Sequence, residues 1–291
     1  MQAVILAAGA SSRFFPFSEE RHKALFEIMG KPLINYTLEG LRKAGVRDII
    51  LVVGPKSELT KIKGVKFVVQ KKPKGMGNAL EECGSLLDDK FFLLSPYHYN
   101  AEEFIGPMLE KVRKMKADMV LSAKRTSTPW KYGMLKLKGD RAVGLIEKPE
   151  KGKEPSCFKV VSIYLLPRTI LDYLGRVEEH QYSFEDALHL FMNENKVLVV
   201  KTKARSISLK YPWDVLDACE ALQEKFLESY VSENAEVSRN TKIKGTVFIG
   251  ENAKIFENAV IKGPAYIGPN CIVGNNTLIR GGCSLEEGVM I

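Results

Sequence analysis

Long hydrophobic runs are missing from this sequence. None of its 291 residues lies in a stretch that approaches the roughly 20 apolar residues of a membrane helix. The apolar run at the amino terminus is too short for a signal-peptide core, and no basic segment leads into it. We therefore expect a cytoplasmic protein without a membrane anchor.

Paired cysteine motifs are also missing. The five cysteines are widely spaced and include no CxxC pair: Cys83, Cys157, Cys219, Cys271 and Cys283. An odd number of isolated cysteines in a cytoplasmic chain is typical of buried free thiols. This pattern argues against both a disulfide framework and a zinc site.

A concentrated basic tract is absent, although the formal net charge is +8. The lysines are spread along the chain among glutamates, whereas a nucleic-acid footprint should cluster on one element. The charge therefore favours small acidic ligands such as phosphates over nucleic acid. Glutamine is scarce, with four residues, while lysine and glutamate are plentiful. That composition is a weak indication of a thermophilic source.

Residues 1–220 alternate short apolar runs with amphipathic segments, which predicts an α/β domain. Such alternation is typical of a mostly parallel sheet with helices on both faces, and ligands then bind beyond the carboxyl ends of the strands. The predicted strands are Val4–Leu6, Ile49–Val53, Val65–Val69, Phe91–Leu94, Met119–Ala123 and Val197–Val200. The predicted helices are Leu33–Lys43, Asn78–Leu87, Phe104–Met115 and Phe184–Asn193, followed by a connecting helix within Leu216–Ser232.

From Ala235 onward the apolar period becomes six residues. Aliphatic side chains occupy Val237, Ile243, Ile249, Ile255, Ile261, Ile267, Val273, Ile279, Leu285 and Ile291. This hexapeptide repeat predicts a parallel β-helix with about 18 residues per three-sided coil. We therefore divide the chain into residues 1–220, a linker helix at 221–234 and a β-helix at 235–291. Because the ends of a repeat stack need covering, we expect a homo-oligomer formed through the β-helix.

Small residues follow the first predicted strand, and two cations follow them. The small residues are Ala8, Gly9, Ala10, Ser11 and Ser12. Their backbone N–H groups suit the anionic oxygens of a polyphosphate. Arg13 and Lys23 would add positive charge. By itself this pattern also fits a tight connection between a strand and a helix. It is not a Walker loop, because no Gly-Lys-Ser/Thr closes it.

The complete amino-terminal pattern resembles that of the sugar-1-phosphate nucleotidylyltransferases. It comprises Gly9, Arg13, Pro16, Lys23 and the segment Gly30-Lys31-Pro32-Leu33. With the hexapeptide repeats, the resemblance is to archaeal members that carry a carboxyl-terminal left-handed β-helix. It implies a Rossmann-like nucleotidyltransferase domain. It also implies that a nucleotidyl group passes from an NTP to a sugar 1-phosphate and that pyrophosphate is released.

The same resemblance implies base and sugar contacts. Gln70 and Gly75 match the residues that read a pyrimidine base, which points to UTP or dTTP. Gly133, Glu147 and Lys148 match the sugar-phosphate side, where a carboxylate accepts from hydroxyls and a lysine neutralises phosphate. The family then has an Asn before Gly-Ile-Tyr, whereas this chain has Val160–Tyr164.

The family also binds Mg²⁺ through two aspartates, and the sequence departs from it at both. Pro96 and Tyr97 stand where Gly-Asp is usual, and Ser208 replaces the Asp that precedes Tyr211–Asp214. Neutral hydroxyls are poor ligands for this hard cation, and Lys210 adds repulsion where Gly is usual. We therefore assign no metal ligand. A shifted alignment leaves other carboxylates as ligands: Asp214, Asp186, Glu102 or Asp89. His98 beside Tyr97 is a weak candidate for a transition-metal ligand.

Two functions follow from these observations. One is an enzyme that makes a UDP- or dTDP-sugar from a hexose 1-phosphate, with Arg13 and Lys23 as catalytic residues and Mg²⁺ as cofactor. The other is a non-catalytic subunit that binds nucleotides or sugar nucleotides and pairs with an active paralogue. Acetyl transfer by the β-helix is a weak third hypothesis, because residues 235–291 contain no histidine.

Overall fold

The computed structural model describes residues 1–19 and 21–291, which form two compact units. The first unit consists of Met1–Ala10 and Thr37–Ser206, and the second of Ser11–Tyr36 and Ile207–Ile291. The sequence assigned residues 11–36 to the first domain, whereas their contacts place them in the second unit with the hexapeptide repeats.

Eleven strands precede residue 207 in the described part of the chain. In order they are β1 (Gln2–Ala7), β2 (Glu27–Ile28), β3 (Lys31–Pro32), β4 (Asp48–Val53), β5 (Lys66–Val69), β6 (Lys90–Leu94), β7 (Met119–Arg125), β8 (Gly133–Lys138), β9 (Arg141–Glu147), β10 (Phe158–Pro167) and β11 (Val197–Thr202). All six strands predicted from the apolar runs are present, as β1, β4, β5, β6, β7 and β11.

Ten short strands follow, spaced by the hexapeptide period. They are β12 (Tyr230–Val231), β13 (Glu236–Val237), β14 (Lys242–Lys244), β15 (Val247–Ile249), β16 (Lys254–Ile255), β17 (Val260–Lys262), β18 (Ala265–Ile267), β19 (Ile272–Val273), β20 (Leu278–Ile279) and β21 (Cys283–Leu285).

Five of the six α-helices in the described part of the chain overlap predicted ones, whereas the short helix Ile170–Leu174 was not predicted. The six are α1 (Leu33–Lys43), α2 (Met76–Cys83), α3 (Glu102–Met115), α4 (Ile170–Leu174), α5 (Ser183–Glu194) and α6 (Asp214–Phe226). The connecting helix therefore begins at Asp214 and ends at Phe226, instead of continuing toward Ser232. Within residues 1–19 and 21–291, no helix has the length and apolar character needed to cross a bilayer.

A nine-stranded mixed sheet forms the centre of the first unit, and the α/β class predicted for it is confirmed. Its strand order is β5-β4-β1-β6-β10-β7-β11-β9-β8. Strands β5, β4, β1 and β6 are mutually parallel, as are β7 and β11. Strand β10 runs antiparallel between β6 and β7, and β8 and β9 form an antiparallel edge.

The apolar runs form strands because helices cover both faces of the sheet. Val4, Ile50 and Phe91 are fully buried on three neighbouring parallel strands. Phe184 of α5 is also fully buried and belongs to the same apolar core. Burial on both faces explains why these strands are continuously apolar and do not alternate with polar residues. The carboxyl ends of β1, β4, β5 and β6 therefore lie along one edge of the sheet.

The carboxyl-terminal strands build a three-sided β-helix, as the hexapeptide pattern predicts. Ile249 pairs in parallel with Ile267, and Ile261 pairs with Ile279, each 18 residues further along the chain. These isoleucines line the buried core of the coil stack. At the corners, Asn252 and Asn270 adopt φ values of 56° and 57°, a conformation that asparagine tolerates better than most residues.

The second unit also contains a small hairpin that is held by the β-helix. Strands β2 and β3 pair antiparallel, and Met29 and Gly30 form their turn with positive φ. The Glu286 carboxylate accepts hydrogen bonds from the Met29 N–H at 2.9 Å and the Gly30 N–H at 2.6 Å. Tyr266 covers Gly30 so closely that an added Cβ would lie 2.7 Å from the phenolic oxygen. This anchor fixes the segment that follows Lys23.

Candidate active site

The predicted phosphate loop begins at the carboxyl end of the central strand β1. Gly9 and Ala10 are exposed, and a Cβ added to Gly9 would meet no atom within 4 Å. Ser11 has a left-handed φ of 56°, and its carbonyl oxygen accepts the Ser18 hydroxyl at 2.9 Å. The open backbone at Gly9 is compatible with the close phosphate approach expected for this loop.

Three charged side chains of the second unit interact with Lys23: Arg13, Lys210 and Asp214. Lys23 begins a short 3₁₀ turn, and its Nζ donates to the carbonyl oxygen of Leu209 at 2.8 Å. Burial, together with the charges of Arg13 and Lys210, lowers the pKa of Lys23 to about 8, while the charge of Asp214 opposes this shift. The structure thus brings Arg13 and Lys23 into one electrostatic cluster and adds Lys210 to it.

The Asp214 carboxylate, at the start of α6, accepts hydrogen bonds from backbone N–H groups. Its Oδ2 accepts hydrogen bonds from the N–H groups of Lys210 at 2.6 Å and Tyr211 at 2.8 Å. Position 208 offers only a serine hydroxyl, and the neighbouring side chains of Lys23 and Lys210 are cationic. This donor set does not fit a Mg²⁺ ion, which prefers several anionic or carbonyl oxygens.

Of the other proposed metal ligands, Asp186 has a side-chain partner of its own. Asp186 pairs with Nε2 of His180 at 2.8 Å. Across residues 1–19 and 21–291, no group of three or more His, Cys, Asp or Glu side chains is arranged to hold a metal ion. The loss of the family's metal aspartates remains a prediction from the sequence.

The loop after β6 is held by a buried histidine. His98 lies next to the half-buried Tyr97, and its Nε2 donates to the carbonyl oxygen of Ser162 at 2.7 Å. Burial lowers the pKa of His98 to about 4, while this hydrogen bond opposes the shift. A neutral, packed imidazole of this kind braces the loop against β10.

Gln70 and Gly75 form one turn between β5 and α2. The Gln70 side chain is buried, and its Nε2 donates to the Gly75 carbonyl at 3.0 Å and to Oδ1 of Asn78 at 2.9 Å. Both amide protons are therefore used within the turn, which leaves Oε1 for the predicted base contact. Gly75 has a φ of 110°, and an added Cβ would lie 2.6 Å from the Gln181 carbonyl oxygen.

The residues predicted to bind the sugar phosphate lie on or next to the hairpin of β8 and β9. Gly133 and Glu147 are direct partners across the two strands. A Cβ on Gly133 would lie 2.7 Å from Oε2 of Glu147, so a larger residue would displace that carboxylate from its present position. Lys148 follows with a φ of 45°, and its N–H donates to the Tyr132 carbonyl at 3.1 Å. The structure therefore brings Gly133, Glu147 and Lys148 together.

The sequence analysis missed Glu185, which lies in the first turn of α5. Burial, helped by the charge of Glu147, raises the pKa of its carboxyl to about 7, against the lowering effect of its own backbone N–H. Burial raises the pKa of the Tyr164 hydroxyl on β10, and the carboxylates of Glu185 and Glu147 also raise it. An acidic residue in a first helical turn is ordinarily explained by the helix dipole, so the sequence carried no separate signal for a ligand contact.

Comparisons with known proteins agree with this architecture. The chain belongs to the nucleotidyl transferase family, whose sequence model matches residues 2–213. The model of the bacterial transferase hexapeptide, with six repeats, matches residues 246–281. The predicted family resemblance is therefore confirmed.

Curated relatives include archaeal sugar-nucleotide enzymes. A bifunctional sugar-1-phosphate nucleotidylyltransferase/acetyltransferase of Sulfurisphaera tokodaii is 32% identical, over 86% of this chain and 62% of the relative. The UTP–glucose-1-phosphate uridylyltransferase AglF of Haloferax volcanii is 26% identical, over 77% of this chain and 98% of the relative. The chain spans about three fifths of the length of the bifunctional relatives.

Solved structures share the fold at low sequence identity. A UDP-glucose pyrophosphorylase from Acinetobacter baumannii superposes with a TM-score of 0.68 at 21% identity, covering 77% of this chain and 94% of that chain. At that identity the likeness establishes the fold alone.

Proposed function

We propose that this protein transfers a nucleotidyl group from UTP or dTTP to a hexose 1-phosphate and releases pyrophosphate. The observation that carries the proposal is the cluster of Arg13 and Lys23, the two cations expected to bind the triphosphate. The family match over residues 2–213 and the names of the relatives support the same chemistry.

In this reaction an oxygen of the sugar phosphate attacks the α-phosphorus of the nucleotide. A bond forms between them, and the bond from the α-phosphorus to the bridging oxygen of the β-phosphate breaks. Pyrophosphate leaves with that oxygen and its electron pair. The barrier is largely electrostatic, so positive charge near the phosphates lowers it. Arg13 and Lys23 would supply such charge, and the N–H groups of residues 8–12 would bind phosphate oxygens.

The remaining contacts select the two substrates. Gln70 would accept a hydrogen bond from the base through Oε1, and the Gly75 backbone would approach the ring edge. Glu147 would accept hydrogen bonds from sugar hydroxyls, and Lys148 would neutralise the sugar phosphate. The residues around Ser208 and Asp214 do not suit Mg²⁺. The positive charge that lowers the barrier would therefore come from Arg13 and Lys23.

A pyrophosphate-release assay tests the proposal. UTP and dTTP are each combined with several hexose 1-phosphates, with Mg²⁺ and with a chelator. We expect release with at least one pair and a loss of at least 100-fold in Lys23→Met, since removal of one charge-stabilising group typically costs that much. Lys63→Met, an exposed lysine elsewhere in the chain, serves as the control. Absence of release with every pair would contradict the enzymatic function.

A second candidate function is a non-catalytic subunit that binds nucleotides or sugar nucleotides and pairs with an active paralogue. What favours it is the predicted replacement of the family's metal-binding aspartates by Tyr97 and Ser208. Calorimetric binding of UTP or UDP-glucose without any pyrophosphate release would support this function over the first.

We also propose that the β-helix associates copies of the chain. Hexapeptide repeats support this assignment. Its expected partners are identical chains, while the ligands of the nucleotidyltransferase unit are a nucleoside triphosphate and a hexose 1-phosphate.

A further inference from the structure

One carboxyl oxygen of Glu185, Oε2, is buried. Within residues 1–19 and 21–291, its Oε2 has no hydrogen-bond partner. The adjacent Asp186 is exposed and pairs with His180. A buried acceptor without a partner costs free energy, so an orphaned oxygen of this kind indicates a missing ligand group.

The packing of α5 directs Glu185 toward the predicted sugar side. Residues four apart lie on the same face of a helix, so Glu185 shares a face with His189. His189 lies against β9, where a Cβ on Gly144 would be 3.6 Å from its ring. Strand β9 ends three residues later, at Glu147. Glu185 and Glu147 consequently interact electrostatically, although they belong to different elements.

The neighbouring side chains fix the start of α5. The Phe184 ring packs edge-on against Tyr164 at 5.6 Å between centroids. Ser183 lies against Gly77, where an added Cβ would come within 2.7 Å of the hydroxyl. Since both Phe184 and Ser183 are buried, these contacts hold the backbone in place at Glu185.

We propose that Glu185 is a specificity-determining residue which, together with Glu147, binds hydrogen-bond donors of a hexose 1-phosphate that carries no acidic group on its ring. This inference rests on the proposed function and names its substrate class. Hydroxyl or ammonium groups of a neutral or amino hexose would donate to Oε2. A uronic acid 1-phosphate would bring a third carboxyl group beside two others and would be rejected.

The charge state of the pair explains this selectivity. With its pKa near 7, the Glu185 carboxyl is about half ionised at neutral pH. A donor that enters can stabilise the ionised form of Glu185 through a charge-assisted hydrogen bond. An anionic ring would instead force the carboxyl to remain protonated and would add repulsion that is weakly screened in a partly buried site.

The test compares three variants. Glu185→Gln keeps the shape and removes the charge, whereas Glu185→Leu removes every polar atom. Asp186→Asn is the matched control, because it removes a charge from the next residue, which is exposed. Affinities for UDP-glucose and UDP-glucuronic acid are measured by calorimetry, and pyrophosphate release is measured separately with the corresponding sugar 1-phosphates.

We expect wild type and Asp186→Asn to bind UDP-glucose at least tenfold more tightly than UDP-glucuronic acid. Glu185→Gln should reduce that ratio to threefold or less, with UTP affinity changed by less than twofold. Glu185→Leu should lose at least tenfold in UDP-glucose affinity while its thermal midpoint stays equal or rises, because an unpaired buried oxygen is removed. A purely structural role would not produce this combination.

The outcomes separate this inference from the proposed function. If the variants lose discrimination but wild type releases no pyrophosphate, the sugar-binding role of Glu185 stands and the enzymatic function is wrong. If wild type turns over and both Glu185 variants behave like Asp186→Asn, the role of Glu185 is wrong. Failure of wild type to bind either sugar nucleotide would also overturn it.

Discussion

At the residue scale, Lys23 should couple phosphate binding to proton uptake. Burial and the charges of Arg13 and Lys210 hold its pKa near 8, below the ordinary value of 10.5. At pH 8.5 most of the folded protein therefore carries a neutral amine at this position. A polyphosphate beside the amine favours its charged form and raises the pKa again.

We accordingly expect pyrophosphate binding at pH 8.5 to take up roughly three quarters of a proton per site, from the fraction of neutral amine at a pKa near 8. Calorimetry in two buffers of different ionisation enthalpy measures the uptake. Lys23→Met should abolish it, while Lys63→Met should retain it. Binding without uptake in wild type would show that Lys23 does not contact the phosphates.

Glu185 should make stability depend on pH in the opposite direction from an ordinary carboxylate. Its folded pKa of about 7 exceeds its usual value of 4.5. Between these pH values the folded state binds more protons than the unfolded state, so the free energy of unfolding falls as pH rises. The destabilisation is absent below about pH 4.5 and complete above about pH 7.

The variant Glu185→Gln removes this pH-dependent contribution to the free energy of unfolding. We expect it to match wild type in urea unfolding at pH 4.5 and to exceed it by up to about 3 kcal/mol at pH 8, at 1.36 kcal/mol per pKa unit. Glu194→Gln, on the same helix, should behave in the opposite way, because its pairing with Arg176 lowers the pKa of Glu194 to about 2. A pH-independent difference for Glu185→Gln would contradict the prediction.

At the scale of elements, the hairpin of β2 and β3 depends on one carboxylate of the β-helix. Glu286 accepts from two turn N–H groups and from the Ser284 hydroxyl. We expect Glu286→Gln to lower the free energy of unfolding by about 1.5–3 kcal/mol, the range for hydrogen bonds to a charged group. Pyrophosphate affinity should also fall, since Lys23 lies six residues before Met29.

Unfolding in urea and calorimetry measure the two effects. Glu287→Gln is the control, because Glu287 is the next residue and is exposed. If Glu286→Gln lost stability without any change in pyrophosphate affinity, the hairpin would not support the phosphate-binding segment.

The elements that burial dictates were predictable from the sequence. Helix α1 has the predicted bounds, and the hexapeptide register follows directly from the six-residue period, because both patterns reflect which side chains are buried. The end of α6 was not predictable in this way. Tyr230 and Val231 leave the helix to pair with Phe248 and Ile249, a long-range preference that a local pattern does not contain.

The predicted site residues were found through family motifs, whereas Glu185 has no motif. Its environment arises from tertiary packing of α5 against β9 and β10. Strands β8 and β9 were likewise missed, since exposed and buried residues mix along this antiparallel edge without a continuous apolar run. Strand β10 was also missed, although its second half is buried between β6 and β7. Lys210 was noticed in the sequence as a cation where Gly is usual, but its position near Lys23 was not predicted.

At the scale of the whole molecule, charge and repeat architecture indicate acidic ligands and self-association. The net charge of +8 suits phosphate-bearing substrates. On the outer side of the sheet formed by β14, β17 and β20, Leu278 is 56% exposed and pairs in register with Val260. Two adjacent outward apolar side chains on a β-helix are suited to contact with another copy of the chain.

We therefore expect a dimer or trimer in light scattering at tens of micromolar, and a monomer for Leu278→Lys, because a desolvated lysine at such a contact is costly. Leu86→Lys is the matched control, since Leu86 is 49% exposed on the first unit. Leu86→Lys should unfold at the same urea concentration as wild type, because Leu86 is not buried. Leu278→Lys should unfold at an equal or lower concentration, because it loses the stabilisation that association gives to the folded chain. A wild-type monomer would rule out association at this concentration. An oligomer that survived Leu278→Lys would instead place the interface on another part of the molecule.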